Sequence, residues 1–121
     1  DNKMIRLLLV DDEEGFVEVV AKRMGKRNIN VTKAYSGSEA IQALRKEDFD
    51  VAVLDLKMED MDGIEVLRIF KKMYPEMAVI MLTGHGSEQA AHEGMECGAF
   101  DYLLKPCDLD ELIEKIREAA M

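Results

Sequence analysis

Val51-Ala52-Val53-Leu54-Asp55-Leu56 runs four apolar residues straight into an aspartate. A short apolar run this rich in valine predicts a strand buried on both faces, as in a parallel sheet. A carboxylate is costly inside such a strand, so Asp55 belongs at its carboxyl end, where a cleft can open.

The neighbouring segments repeat the same pattern. Upstream, Met4–Val10 predicts a strand that stops at Asp11-Asp12-Glu13-Glu14, followed by a helix to about Lys26 with Phe16, Val19, Val20 and Met24 on its inner stripe. Ile29–Ala34 alternates like an edge strand, and Ser36-Gly37-Ser38-Glu39 opens a helix with a capping box, continuing through Ala40, Ile41 and Leu44. Downstream, Asp60–Gly63 is turn chemistry, with Gly63 serving the turn alone. The helix that follows presents Ile64, Leu67, Phe70 and Tyr74, and Pro75 ends it. Ala78–Leu82 is a fourth strand that closes on Thr83-Gly84. A polar helix spans Ser87–Cys97, with a thin stripe of Ala90, Ala91 and Met95, and stops at Gly98. Ala99–Leu104 is a fifth strand ending at Lys105-Pro106, and Asp108 caps a last helix through Leu112, Ile113 and Ile116. Strict alternation of strand and helix implies an α/β fold, a doubly wound five-stranded parallel sheet with helices on both faces.

Composition narrows the function. The 121 residues fit one domain, and 48% apolar with 34% charged residues is a globular balance. A net charge of −9 argues against direct nucleic-acid contact, which needs clustered Lys and Arg. Cys97 and Cys107 have neither metal nor redox spacing. Two thiols make no disulfide framework, which fits a reducing cytoplasm as the expected location; no run is long enough to span a membrane and no signal peptide is evident. The chain begins at Asp1 and not at a methionine, which is compatible with flanking domains outside it.

Unusual residues close four of the five strands. Asp11 and Asp12 follow the first, Asp55 ends the third, Thr83 the fourth and Lys105 the fifth, so the sheet brings them to one edge. Three clustered carboxylates repel one another without a cation, and oxygen-only donors at an open site suit Mg²⁺. The acids of Asp11–Glu14 also favour a helix N-terminus, which accounts for Glu13 and Glu14 but not for Asp55. A carboxylate nucleophile attacking phosphorus needs the phosphoryl charge neutralised, and Mg²⁺, Lys105, Thr83 and nearby backbone N–H groups fit that need. Gly84 leaves room beside such a group. Pro106 allows a cis peptide that would aim Lys105 into the cleft.

Asp11-Asp12, Asp55, Met58-Glu59-Asp60-Met61-Asp62-Gly63, Thr83-Gly84 and Phe100-Asp101-Tyr102-Leu103-Leu104-Lys105-Pro106 together resemble the receiver domain of two-component response regulators. The likeness covers nearly the whole chain, read as one domain over residues 1–121. It implies the flavodoxin-like strand order 2-1-3-4-5, a sensor histidine kinase as phosphodonor and Asp55 as acceptor. It implies Asp12, Asp55 and the Lys57 carbonyl as direct Mg²⁺ ligands, with Asp11 acting through water. Thr83 and Lys105 would contact the phosphoryl group, and Tyr102 would be the switch aromatic. The implied activity is that of a phosphoacceptor signalling domain, with autocatalysed phosphotransfer and dephosphorylation, and not of an enzyme turning over substrates. Expected partners are the kinase, an attached or separate output domain and a phosphorylation-dependent second copy. Glu59 departs from the proline common after the methionine, which predicts a looser loop. Lys57 and His85 stand where the family tunes phosphoryl lifetime; His85 reads equally well as an exposed loop histidine, and His92 as a solvated one.

Other readings fit less well. Phosphatases with an aspartyl-phosphate intermediate typically place a second aspartate two residues after the nucleophile, where this chain has Lys57. A flavin module on this fold needs a phosphate-friendly first loop, which Asp11–Glu14 would repel. An inactive receiver-like domain would not need a complete set of site residues.

Overall fold

Strands and helices alternate along the whole computed structural model, which describes residues 3–84 and 87–121. The elements are β1 (Ile5–Val10), α1 (Glu14–Gly25), β2 (Ile29–Ala34), α2 (Gly37–Lys46), β3 (Val51–Asp55), α3 (Gly63–Met73), β4 (Ala78–Thr83), α4 (Glu88–Glu96), β5 (Asp101–Leu104) and α5 (Leu109–Ala119). The five strands pair in parallel in the order β2-β1-β3-β4-β5. The expected fold class and strand order are both present, with β2 as an edge strand.

Side chains alternate across a strand, so one sheet feeds two cores. Leu8, Val10, Ala52, Leu54, Val79 and Met81 pack under α2, α3 and α4. Leu7, Leu9, Val51, Val53, Ile80 and Leu82 pack under α1 and α5. β1 lies between β2 and β3, and the direction of winding reverses there. The carboxyl ends of β1 and β3 therefore flank a crevice, the usual ligand position in open α/β sheets.

Local chemistry sets the helix starts. Ser36 accepts a hydrogen bond from the Glu39 N–H at 3.0 Å, and the Glu39 carboxylate accepts from the Tyr35 N–H at 3.0 Å. Asp62 accepts from the Ile64 N–H at 2.9 Å to cap α3, and Asp108 from the Asp110 N–H at 3.1 Å to cap α5. Glu13 holds the cap position of α1 but makes no side-chain cap bond.

Three expectations change. In α1 the buried stripe is Val17, Val20, Ala21 and Met24, while Val19 is 54% exposed. The spacing i, i+3, i+4, i+7 is one helical face, and Val19 lies off it. In α4 the buried pair is Ala91 and Gly94, while Met95 points outward. A Cβ at Gly94 would stand 2.1 Å from the Met81 Sδ, so the missing side chain lets α4 lie close on β4. Gly63 does more than turn the chain: a Cβ there would fall 2.5 Å from the Leu56 Cα, so backbone crosses backbone at this point. That close crossing accompanies the isolated antiparallel bridge between Lys57 and Asp62. Gly98, at φ 103°, follows α4.

Candidate functional site

Asp11 is the first residue beyond β1, and its N–H extends the ladder to the Ala34 carbonyl at 3.1 Å. Asp55 is the last residue of β3. Both sit inside the protein surface, Asp11 at 0% and Asp55 at 6% exposure, with Asp12 half-buried at the rim. One carboxylate oxygen from each of Asp11, Asp12 and Asp55 lies within 4.8 Å of the others.

A backbone amide holds each carboxylate. Asp11 Oδ1 accepts from the Glu13 N–H at 3.0 Å and Asp55 Oδ1 from the Lys57 N–H at 3.1 Å, two turns of the same local kind. Asp12 Oδ2 accepts from the Glu59 N–H at 3.3 Å. A proline at position 59 could not donate that bond. The loop after β3 is tied down elsewhere too: Asp60 accepts from the Gly37 N–H at 3.1 Å and the Ser38 N–H at 3.2 Å, in the first turn of α2. The departure at Glu59 thus comes with tethers that hold the loop.

Lys105 reaches this cluster from the end of β5. Its Nζ stands 2.7 Å from Asp11 Oδ2, 2.9 Å from Glu13 Oε1 and 3.7 Å from Asp55 Oδ2. It also lies over the Phe16 ring, 4.7 Å from the centroid. The Lys105–Pro106 peptide is cis, and the Lys105 N–H donates to the Thr83 carbonyl at 2.6 Å. Thr83 is buried, its hydroxyl 3.5 Å from the Leu103 carbonyl. Gly84 has open space: a Cβ there would meet nothing within 4 Å.

The electrostatics follow from burial. Loss of water pushes the Asp55 carboxyl up to about 6; Asp11 and Asp12 push the same way, against the Lys57 amide and the Lys105 charge. Burial alone would lower the Lys105 pKa, but hydrogen bonds to Asp11 and Glu13 and the charge of Asp55 outweigh it and hold the ammonium above its ordinary value. Three carboxylates, those of Asp11, Glu13 and Asp55, therefore lie within 4 Å of the Lys105 ammonium, and Asp12 adds a fourth negative charge beside Asp11 and Asp55. An all-oxygen donor set, half-open at Asp12, fits a hard divalent cation better than a soft one.

Asp11, Asp12, Asp55 and Lys105 thus come together. Thr83 borders them, and Lys57 is exposed and lines the adjoining cleft with Asp12, Met58 and Glu59. Tyr102 lies away from the cluster, opposite Met81 in the sheet and 43% exposed. His85 lies outside the described residues, and His92 is exposed, 3.9 Å from Glu96. Glu13 and Phe16 are additions. A glutamate at a helix start is explained by the helix alone, so nothing in the sequence marked Glu13 as the partner of Lys105.

A family model for the response regulator receiver domain matches residues 7–117. The transcriptional regulatory protein GlrR of Escherichia coli K12 is 37% identical over 98% of this chain and 27% of its own length. The transcriptional regulatory protein ZraR of Salmonella typhimurium is 35% identical over 95% of this chain and 26% of its own. The chain therefore spans about a quarter of the length of these curated relatives. A crystal structure of a response regulator receiver domain protein from Clostridium thermocellum superposes with a TM-score of 0.92 at 34% identity, covering 97% of this chain and 94% of that one.

Proposed function

The chain belongs to the response regulator receiver domains, and from that premise we propose that Asp55 accepts a phosphoryl group from a sensor histidine kinase in a Mg²⁺-dependent reaction. The observation that carries this is the meeting of Asp55 with Asp11, Asp12 and Lys105 at the crevice between β1 and β3. In this reading residues 1–121 act as one cytoplasmic phosphoacceptor domain and not as an enzyme turning over substrates.

Asp11, Asp12, Asp55 and the Lys57 carbonyl would hold the metal. When bound, Mg²⁺ offsets the carboxylate repulsion and draws charge from the phosphoryl oxygens. An Asp55 oxygen attacks phosphorus, and a P–O bond forms as the P–N bond to the donor histidine breaks. The leaving imidazole keeps the electron pair and takes a proton from water. Lys105 and Thr83 bind the phosphoryl oxygens. Hydrolysis reverses the state: water attacks phosphorus, phosphate leaves and the Asp55 carboxylate returns. Lys57, exposed in the cleft beside Asp12, would meet that water at the rim.

The response would follow from Thr83 turning toward the phosphoryl group and Tyr102 moving inward. The thinly packed α4 would shift with them, and β5 and α5 would complete the surface read by an output domain or a second copy. Intact-mass measurement after incubation with Mg²⁺ and acetyl phosphate tests the chemistry. One labile phosphoryl adduct on Asp55 is expected; an unmodified chain, or an adduct elsewhere, overturns the reading.

A further inference from the structure

Lys105 is not closest to Asp55, the group it would serve. Its ammonium donates to Asp11 at 2.7 Å and to Glu13 at 2.9 Å, while Asp55 stays at 3.7 Å, beyond hydrogen-bond reach. With Phe16 beneath it, the lysine is drawn toward the start of α1. The two carboxylates that hold it differ in kind. The Asp11 side chain is 0% exposed and the Glu13 side chain 66%. Breaking a buried pair leaves an uncompensated charge, whereas an exposed pair gives way easily to water. Glu13 also forgoes the cap bond that its position in α1 would allow.

We infer that Glu13 is a positioning residue for Lys105: it parks the ammonium on the α1 side while Asp55 is unmodified and gives it up when Asp55 carries a phosphoryl group. The inference rests on the acceptor reading above. A phosphoryl group brings close to two negative charges and three strong acceptor oxygens to Asp55. Lys105 can meet them by keeping Asp11 and exchanging Glu13. The parked state therefore opposes phosphoryl binding by the small strength of one exposed pair, and it keeps the lysine from relaxing onto Asp55 early.

The test uses the full chain as wild type, Glu13→Gln and Glu13→Asp. In metal-free protein, NMR of ε-labelled lysine follows the Lys105 Cε–Hε signal. Glu13→Gln is expected to move it and Glu13→Asp to leave it nearer the wild-type position. Beryllium fluoride with Mg²⁺, a stable stand-in for the phosphoryl group, then saturates each protein. Glu13→Gln is expected to lower the half-saturating concentration about two- to fivefold, the range set by an exposed pair. A Lys105 signal that ignores Glu13→Gln, or saturation that is unchanged or weaker in that variant, overturns the parking role. If wild type itself neither binds beryllium fluoride nor is phosphorylated by acetyl phosphate, the acceptor reading fails first and takes this inference with it.

Discussion

β3 and β5 flank β4 on its two sides and are built in opposite ways. Every residue of β3 is buried, from Val51 to Asp55. Residues of β5 alternate half-buried and exposed, leaving Tyr102 and Leu104 open to solvent. The same contrast holds for the helices nearby. α3 buries Ile64, Val66, Leu67 and Phe70, whereas α4 buries only Ala91 and Gly94. One side of the sheet holds a charged site in fixed geometry, and the other has little packing to resist a shift. The proposed acceptor site falls on the first and the proposed reporting surface on the second.

The most complete break in this contrast is chemical. Asp55→Asn replaces the proposed acceptor carboxylate with a near-isosteric amide that is a poor nucleophile. Phosphorylation by acetyl phosphate should fall to nothing in intact-mass spectra while the circular dichroism spectrum is kept. Uptake of one phosphoryl group at the wild-type rate would mean the acceptor lies elsewhere.

Packing tests the contrast directly. Leu54→Ala empties a fully buried position in β3 and should cost about 2–5 kcal/mol. Leu104→Ala removes a side chain 51% exposed in β5 and should stay within about 0.5 kcal/mol. Urea unfolding of both variants measures the gap, and equal losses would erase the distinction between the two strands.

The buried charge has a pH signature. In metal-free protein the Asp55 carboxyl is raised from 3.8 to about 6. Between those values the folded state binds more protons than the unfolded one, so Asp55 makes stability fall as pH rises through that window. At most about 3 kcal/mol is lost by pH 7 from a shift of this size. Glu18, Asp50 and Asp101 are held low and act in the opposite sense, so the measurement is the difference between Asp55→Asn and wild type. With a chelator present, the variant's advantage in melting temperature should widen from pH 4 to pH 7. A constant difference would remove the burial penalty from Asp55.

Metal should relieve the same penalty. At free Mg²⁺ ten times its dissociation constant, binding to the folded state alone adds about 1.4 kcal/mol. Asp12→Ala should lose most of that gain in a melting titration. A wild-type melting temperature indifferent to Mg²⁺ would count against the carboxylate cluster as a metal site.

Thr83→Ala should have the smallest effect on the chemistry and the most selective one on the response. Asp55 should still be phosphorylated, while the Tyr102 ring signal in NMR stays at its outward position. The same ring shift in wild type and Thr83→Ala would separate Tyr102 from Thr83.

By itself the sequence determined the order of elements and the edge where the candidate site residues gather. Apolar runs and helical spacing are local properties, and parallel winding carries the ends of β1, β3, β4 and β5 to one side whatever the detailed packing. Asp11, Asp12, Asp55, Thr83 and Lys105 were therefore legible as a group. Other features were decided only by contacts between distant segments. Whether Val17 or Val19 faced inward depended on how α1 rolled onto the sheet, and Met95 yielded to Gly94 because Met81 fills the space beneath α4. Asp60 caps α2 instead of only shaping its own turn, because the loop after β3 passes over that helix. Glu13 pairs with Lys105 across most of the chain's length. Periodicity encodes which face of an element is apolar, but a polar side chain's partner is chosen by whatever the tertiary fold brings within about 3 Å of it.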